Sequence, residues 1–205
     1  MSTLYYVHDP MCSWCWGFKP VLEELIHHLP DTLKLEYMMG GLAADSDTPM
    51  PDKMQRQIKS NWQSIQQSIA GIDFNYDFWT LCTPRRSTYP ACRAVLAAKR
   101  LQGKYNEMNT AIQKAYYLQA KNPSDYNVLY ELAEDIDINK EQFISSVHSD
   151  EIQEQLIQQI EFSRSVGAYS LPSLFIKAGN TVLPVVLDYN NADIILQHID
   201  SIIQK

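Results

Sequence analysis

The sequence predicts an α/β fold in which a long all-helical segment interrupts a small sheet. Residues 4–41 show a strand, a helix and a second strand in succession, and residues 166–205 contain two strands and a helix. Between them, residues 42–165 carry apolar side chains at helical spacing without strand-like alternation. We therefore predict one discontinuous domain, 1–41 with 166–205, and a helical insertion subdomain at 42–165. A chain of 205 residues suits this organisation.

The first predicted strand and helix flank a pair of cysteines. The apolar, aromatic run 4–7 predicts a buried strand. Apolar residues at 21, 22, 25, 26 and 29 predict an amphipathic helix, in which Pro20 is either accommodated in the early turns or forms a kink. Between strand and helix lies the segment Asp-Pro-Met-Cys-Ser-Trp-Cys-Trp-Gly-Phe, residues 9–18.

Cys12 and Cys15 have the spacing of a redox pair at a helix start. Residues three apart share one helix face, so the two sulfurs can form a small disulfide ring. Unpaired N–H groups and the helix dipole favour a thiolate at Cys12, which predicts a lowered pKa and a nucleophilic role. Cys15 is then the resolving thiol in thiol–disulfide exchange. The alternative, half of a zinc site, is a poor match because Cys82 and Cys92 are nine residues apart without a histidine between them.

The second strand is predicted where apolar residues alternate over 33–39, parallel to the first strand, with Gly40 and Gly41 ending it. Within the insertion, helices are predicted over 54–69, 90–102, 108–118, 127–135, 139–147 and 150–166, with an irregular connection at 73–86.

The chain ends with a predicted hairpin and helix. Leu171-Pro172 leads into a strand at 171–176, and Ala178-Gly179-Asn180 is typical of a hairpin turn. The partner strand, 181–187, contains Pro184, which favours an edge position. Asn190 and Asn191 can cap a final helix, whose predicted buried residues are Ile194, Ile195, Ile199, Ile202 and Ile203.

This order of elements resembles the thioredoxin fold, and the inserted helices resemble the DsbA family of that fold. Residues 9–18, Gly40-Gly41-Leu42 and the stretch from Val166-Gly167 to Leu171-Pro172 are similar to the cytosolic FrnE-like branch of thiol–disulfide oxidoreductases and protein disulfide isomerases. The resemblance implies that Pro172 is a cis proline facing the disulfide, rather than a trans proline that starts a strand. It also implies that the Leu171 backbone pairs with an extended substrate.

The remaining site predictions concern neighbours of the cysteines. Ser13 and Trp14 lie between them and are expected to tune the pair. The resemblance to the DsbA family implies that a histidine in this dipeptide makes the site strongly oxidising, and this sequence has none. Trp14 is predicted to be exposed beside an exposed thiol, with Trp16 largely buried. Asp9 is predicted to be a turn residue, with a buried acid beneath the cysteines as the alternative.

Two further groups of residues are given structural roles. Cys82 and Cys92 are predicted to be small buried hydrophobes rather than a redox relay to Cys12. His27, His28, His148 and His198 are expected at solvent or rims.

Bulk properties exclude several classes of function. A net charge of −7 argues against nucleic acid or an anionic membrane as the main partner, and no apolar run reaches the ~18 residues of a membrane span. Without a secretory signal at residue 1, we expect a cytoplasmic protein, where a cysteine pair is more often catalytic than structural. No cofactor beyond the Cys12–Cys15 disulfide is expected, and the oligomeric state is left open.

Three functions compete. The first is a thiol–disulfide oxidoreductase or isomerase acting on protein or small-molecule disulfides and dithiols, including glutathione. The second is a glutathione-dependent enzyme that resembles kappa-class transferases or hydroxychromene-carboxylate isomerases, which have a serine at the position of Cys12. The third is a non-enzymatic binding module that uses the apolar rim around Trp14.

Overall fold

The computed structural model describes residues 2–204 as a four-stranded sheet with helices on both faces. Residues 1 and 205, the outer ends of the predicted discontinuous domain, lie outside the described residues. The elements in chain order are β1 (Ser2–His8), α1 (Ser13–His28), β2 (Leu33–Met39), α2 (Asp52–Ser68), α3 (Phe78–Leu81), α4 (Tyr89–Gln102), α5 (Tyr105–Leu118), α6 (Tyr126–Asp135), α7 (Lys140–Val147), α8 (Asp150–Ser165), β3 (Ser173–Ala178), β4 (Thr181–Val185) and α9 (Ala192–Ile203).

The sheet has the strand order β2-β1-β3-β4. β1 pairs in parallel with β2, as the β-α-β order predicts, and β3 pairs antiparallel with both β1 and β4. β4 is an edge strand, where Pro184 costs no ladder hydrogen bond on the open side. The α/β fold with an interrupting run of helices is confirmed; the short α3 lies within the stretch predicted to be irregular.

Three apolar clusters lie within residues 2–204, and the two largest hold the layers together. One joins β1 and β3 to α1 and α9 through side chains such as Leu4, Phe18, Leu25 and Ile195. The other fills the helical segment and includes Trp62, which is completely buried among aromatic rings. In α9 the predicted burial is wrong at two positions: Ile194 is 43% exposed and Ile203 is 37% exposed, because only every third or fourth residue faces the sheet.

The end of β2 depends on its two glycines. A Cβ atom at Gly40 would lie 2.6 Å from Leu171 Cδ2, so the absence of a side chain lets this end of the sheet contact the loop before β3. Gly41 has a φ of +57°, a left-handed conformation that glycine adopts without steric cost. The glycine pair therefore ends β2, as predicted, and brings residue 171 to the end of the sheet where Cys12 lies.

Candidate active site

Cys12 and Cys15 lie together at the start of α1. Cys12 is the N-cap residue, its N–H bonds to the Asp9 carbonyl at 3.0 Å, and its carbonyl accepts from the Trp16 N–H at 3.0 Å. Both thiols are free, and Cys12 lies close enough to Cys15 to raise the pKa of that thiol. The prediction of an exposed thiol is wrong: Cys12 is only 6% exposed and Cys15 1% exposed. Cys12 is therefore reached through a narrow opening and does not project from the surface.

The loop before β3 covers Cys12. The Leu171–Pro172 peptide bond is cis, the geometry that the resemblance implies, and Pro172 is buried. The Cys12 thiol donates to the Leu171 carbonyl at 3.4 Å. The Leu171 carbonyl, predicted to be open to a substrate backbone, is therefore paired with Cys12 when the thiols are reduced.

Aromatic residues frame the two thiols. Trp14 is half-buried rather than exposed, because its ring packs edge-on against Tyr189 at a centroid distance of 5.2 Å. Trp16 is buried, as predicted; it stacks on Tyr117, and its Nε1 donates to the Asp73 carbonyl at 3.1 Å. Ser13, between Cys12 and Trp14, is half-buried.

Beneath the thiols, Asp9 lies at the centre of a hydrogen-bonded polar group and is closed to solvent. Its carboxylate accepts from Met11 N–H at 2.8 Å, Leu42 N–H at 2.8 Å, the Thr88 hydroxyl at 2.6 Å and, weakly, the Cys92 thiol at 3.5 Å. We call Asp9, Thr88 and Cys92 the Asp9 cluster. The predicted turn role is confirmed by the bond to Met11, and the alternative, a buried acid, also holds because Asp9 is 0% exposed.

Burial sets the protonation of the groups beneath the thiols. Loss of solvent raises the pKa of Asp9, although the hydrogen bonds from Leu42, Thr88 and Met11 oppose the rise. Burial, and then the neighbouring Cys12, raise the pKa of Cys15 well above its ordinary value. Burial and the adjacent Asp9 do the same for the pKa of Cys92. Cys15 and Cys92 are therefore held as neutral thiols.

The other two cysteines are not brought together as a pair. Cys92 bonds to Asp9, whereas the half-buried Cys82 donates from its thiol to the Ala120 carbonyl at 3.0 Å. Both are free thiols. The predicted burial is confirmed for Cys92, which also belongs to the polar group under the active site, and is wrong for Cys82, which is only half-buried. His27, His28 and His148 are exposed and His198 is half-buried, as expected for rims.

Sequence reasoning missed a second buried group, formed by Tyr6, His8 and Tyr105. The rings of Tyr6 and His8 are stacked with centroids 4.8 Å apart, and His8 Nε2 lies 2.7 Å from the Tyr105 hydroxyl. Burial lowers the pKa of His8 from 6.5 to about 3, so the ring is neutral. Alternation along β1 could have indicated that Tyr6 and His8 share one face, but no local pattern indicates Tyr105, 97 residues beyond His8.

The described residues were also compared with the requirements of a metal site and of a membrane-spanning helix, and they meet neither. Within residues 2–204, no group of three or more His, Cys, Asp or Glu side chains is arranged to hold a metal ion. None of the helices between those residues combines the length and the apolar character needed to cross a bilayer.

The fold and the site together define a thioredoxin-like protein with a paired dithiol at the start of its first helix. The sequence profile of the DSBA-like thioredoxin domain family matches residues 3–200, and the chain belongs to that family. Membership and the adjacent thiols support a thiol–disulfide oxidoreductase in the general sense.

Three relatives show how far the similarity extends. A candidate protein disulfide isomerase from Nitrosomonas europaea has 28% identity, a TM-score of 0.86 and coverage of 99% of this chain and 98% of its own. The cytosolic disulfide reductase DsbM from Pseudomonas aeruginosa, also solved with glutathione, has 22% identity, a TM-score of 0.79 and 98% coverage of both chains, a likeness of fold. The ClpXP adapter protein SpxH of Bacillus subtilis is 29% identical over 154 residues, 71% of this chain, and this match spans about half (48%) of SpxH.

Proposed function

We propose that this protein exchanges disulfides through Cys12 and Cys15, with Cys12 as the nucleophile and Cys15 as the resolving thiol. The observation that carries the proposal is the contact of two free thiols at the start of α1, with Cys12 under the cis-proline loop. The difference in burial between the two cysteines supports these roles. Cys12 has the greater exposure and the helix N-terminus beside it, whereas Cys15 is enclosed and kept protonated.

The reaction takes place in two displacements. The Cys12 thiolate attacks one sulfur of a substrate disulfide, a Cys12–substrate disulfide forms, and the other substrate sulfur leaves as a thiolate. The Cys15 thiol then loses its proton and attacks Cys12. The Cys12–Cys15 bond forms as the second substrate thiolate departs, so the substrate gains two electrons and the protein loses them. Running the steps backwards oxidises a substrate dithiol.

Substrate contact is proposed at Ser13, Trp14 and Leu171, which surround the Cys12 opening together with Pro172. Trp14 and Tyr189 offer an apolar edge to a peptide or to the thiol of glutathione. The Leu171 carbonyl becomes available to a substrate N–H once Cys12 ceases to donate to it. Both protein and small-molecule disulfides fit this description, and the glutathione complex of the relative DsbM favours including glutathione.

Two finer assignments extend the proposal. The similarity to a candidate disulfide isomerase supports isomerase activity on proteins with wrong disulfides, and the similarity to a cytosolic reductase supports action in the cytoplasm. Isomerase activity is tested by the recovery of activity in a scrambled multi-disulfide protein. Location is tested by fractionating cells that express the full chain.

The central test compares wild type with Cys12→Ser and Cys15→Ser. Reversible formation of an intramolecular Cys12–Cys15 disulfide in glutathione buffers, followed by tryptophan fluorescence and by mass, is expected for wild type and for neither variant. Cys15→Ser is expected to accumulate a Cys12–glutathione disulfide visible by mass, and Cys12→Ser is not. Full exchange activity in Cys12→Ser contradicts the assignment; glutathione binding without any disulfide turnover favours the transferase alternative.

A second candidate function, protein binding without catalysis, is favoured by the similarity to the adapter SpxH. The surface around Trp14 and Tyr189 is the proposed contact. A Cys12→Ser/Cys15→Ser variant that binds a cytoplasmic protein as tightly as wild type, with loss of binding in Trp14→Ala, supports this function.

A further inference from the structure

A solvent-open pocket reaches the resolving thiol from the helical segment. It lies between α1 and α5, has a volume of about 240 Å³, and is lined by Cys15, Tyr6, Lys19, Asn109, Gln113 and other side chains. We call it the Cys15 pocket. Neither Cys12 nor the Leu171–Pro172 loop belongs to its lining, so the pocket reaches the nearly buried Cys15 from a side separate from the opening at Cys12.

The pocket contains polar atoms that the protein does not satisfy. Gln113 is 2% exposed, and neither its Oε1 nor the buried Oδ1 of Asn109 has a hydrogen-bond partner among residues 2–204. An unpaired buried polar atom costs about 1–3 kcal/mol, which water removes where there is room for it. The volume of the Cys15 pocket is large enough for several water molecules at roughly 30 Å³ each.

A charged pair lies on the wall of the pocket. Lys19 Nζ donates to the Thr110 hydroxyl at 2.9 Å and lies 4.0 Å from a carboxylate oxygen of the exposed Glu23. At the inner end, Tyr6 contacts Cys15: burial, and then the Cys15 and Cys12 sulfurs, raise the pKa of the Tyr6 hydroxyl well above 10. Tyr6 thus remains a neutral hydroxyl that can donate to one neighbour and accept from another.

The Asp9 cluster is not suited to carry a proton from Cys15 to solvent. Asp9 is 0% exposed, its carboxylate already accepts four hydrogen bonds, and Cys15 contacts its backbone rather than its carboxylate. A proton received there has no way to solvent. The Cys15 pocket, by contrast, combines contact with Cys15, two amide oxygens without partners among residues 2–204, and an opening to bulk solvent.

We propose that the Cys15 pocket is the proton exit of the resolving thiol, with Gln113 and Asn109 as positioning residues for its waters. The inference rests on the proposed function and deepens it. As Cys15 attacks the Cys12–substrate disulfide, its S–H bond breaks and the proton passes to pocket water, while the S–H electron pair forms the new S–S bond. The departing substrate thiolate takes the bonding pair from Cys12, and bulk solvent can protonate it.

Other titratable groups also face Cys15 and take part in its pH dependence. They are Cys12, Lys19 and Glu23 on α1, Asp9 before it, Tyr6 on β1, Tyr105 and Tyr117 on α5, and Tyr189 after β4.

The test follows the two displacements separately. The reduced protein is mixed in a stopped-flow instrument with a chromogenic aromatic disulfide, which releases one coloured thiol when Cys12 attacks and another when Cys15 attacks. Gln113→Met keeps the side-chain length but removes the amide. We expect it to slow the second release by about tenfold near pH 7, to leave the first unchanged, and to raise the solvent deuterium effect on the second only.

Control variants separate this role from packing. Gln102→Met makes the same change on the exposed end of α4 and is expected to leave both releases unchanged. Gln113→Asn keeps an amide and is expected to stay within about twofold of wild type. Asn109→Leu supplies an independent variant if Gln113→Met does not fold, and the same slowing is expected of it.

The outcomes separate a failure of the proton-exit proposal from a failure of the function proposed for Cys12. An unchanged second release in Gln113→Met overturns the proton-exit proposal, and so does a slower release without a larger deuterium effect. Absence of the first release in wild type instead contradicts the function proposed for Cys12.

Discussion

Two polar groups flank Cys15, and they differ in how their hydrogen bonds are satisfied. In the Asp9 cluster every donor finds a carboxylate oxygen, and Asp9 is completely buried. In the Cys15 pocket two amide oxygens have no partner within residues 2–204, and one end opens to solvent. A satisfied buried network fixes geometry, whereas a hydrated one exchanges protons. The Asp9 cluster therefore positions the dithiol, and the Cys15 pocket is the proposed route for the proton of Cys15.

The sharpest way to break this comparison is to remove the Asp9 carboxylate. Asp9→Ala leaves Met11 N–H and Leu42 N–H without an acceptor, and the Thr88 hydroxyl keeps only the Ala43 carbonyl at 3.4 Å. We expect the free energy of unfolding to fall by about 2–4 kcal/mol, measured by urea denaturation. Gln113→Met is expected to lower it by less than about 1 kcal/mol, since Gln113 Oε1 has no hydrogen-bond partner among residues 2–204 to lose.

Asp9→Asn is the control, because it keeps one acceptor oxygen and nearly the same shape. Its loss is expected to be about half that of Asp9→Ala. If Asp9→Ala and Gln113→Met destabilise the protein equally, the distinction between a positioning cluster and a hydrated pocket is lost.

The strands and the site were not equally predictable. The apolar run at 4–7 and the alternation at 33–39 are local signals, and they placed β1 and β2 correctly. The Cys12–Cys15 spacing indicated the redox centre, and the family resemblance indicated the cis bond before Pro172. These features depend on residues close together in the chain or on a motif.

The surroundings of the thiols could not be predicted because they are assembled from distant segments. Thr88 reaches Asp9 across 79 residues and Leu171 reaches Cys12 across 159, and neither contact produces a local pattern. The half-burial of Trp14 depends on Tyr189 for the same reason. The Asp9-Pro10 dipeptide was sufficient to predict a turn. Asp9 is a buried acid because Thr88 and Cys92, which are distant in the chain, pack against it.

A second way to sharpen the comparison uses His8, which lies between the two groups. Its pKa is about 3 when folded and 6.5 when unfolded, so below pH 6.5 the unfolded chain takes up the proton first. Stability is complete above pH 6.5 and is lost as pH falls toward 3. His8 alone is expected to remove about 2 kcal/mol between pH 6.5 and 5.

The measurement is urea denaturation of wild type and His8→Phe at several pH values. Asp9 acts in the opposite direction, because its raised pKa favours the folded state as pH falls, and it is present in both proteins. The difference between the two curves isolates His8. Parallel curves from pH 6.5 to 5 contradict the buried, neutral histidine.

The smallest expected effect concerns the weak donor of the Asp9 cluster. Cys92→Ala removes a thiol 3.5 Å from Asp9 and leaves a small buried gap. A loss of about 1 kcal/mol in unfolding free energy is expected. Cys82→Ala, at a half-buried position remote from Asp9, is expected to change stability by less than about 0.5 kcal/mol. A larger loss at Cys82 than at Cys92 argues against the cluster as a unit.

The contact between Cys12 and Leu171 also has a consequence for biogenesis. The ribosome must add 159 residues after Cys12 before its covering carbonyl exists, and α4 with Thr88 emerges well before that. At roughly 5–20 residues per second, the nascent chain carries an uncovered Cys12 for about 8–30 s. A newly made molecule is therefore open to cellular oxidants and to disulfides of other molecules during a period that ends only when β3 joins the sheet.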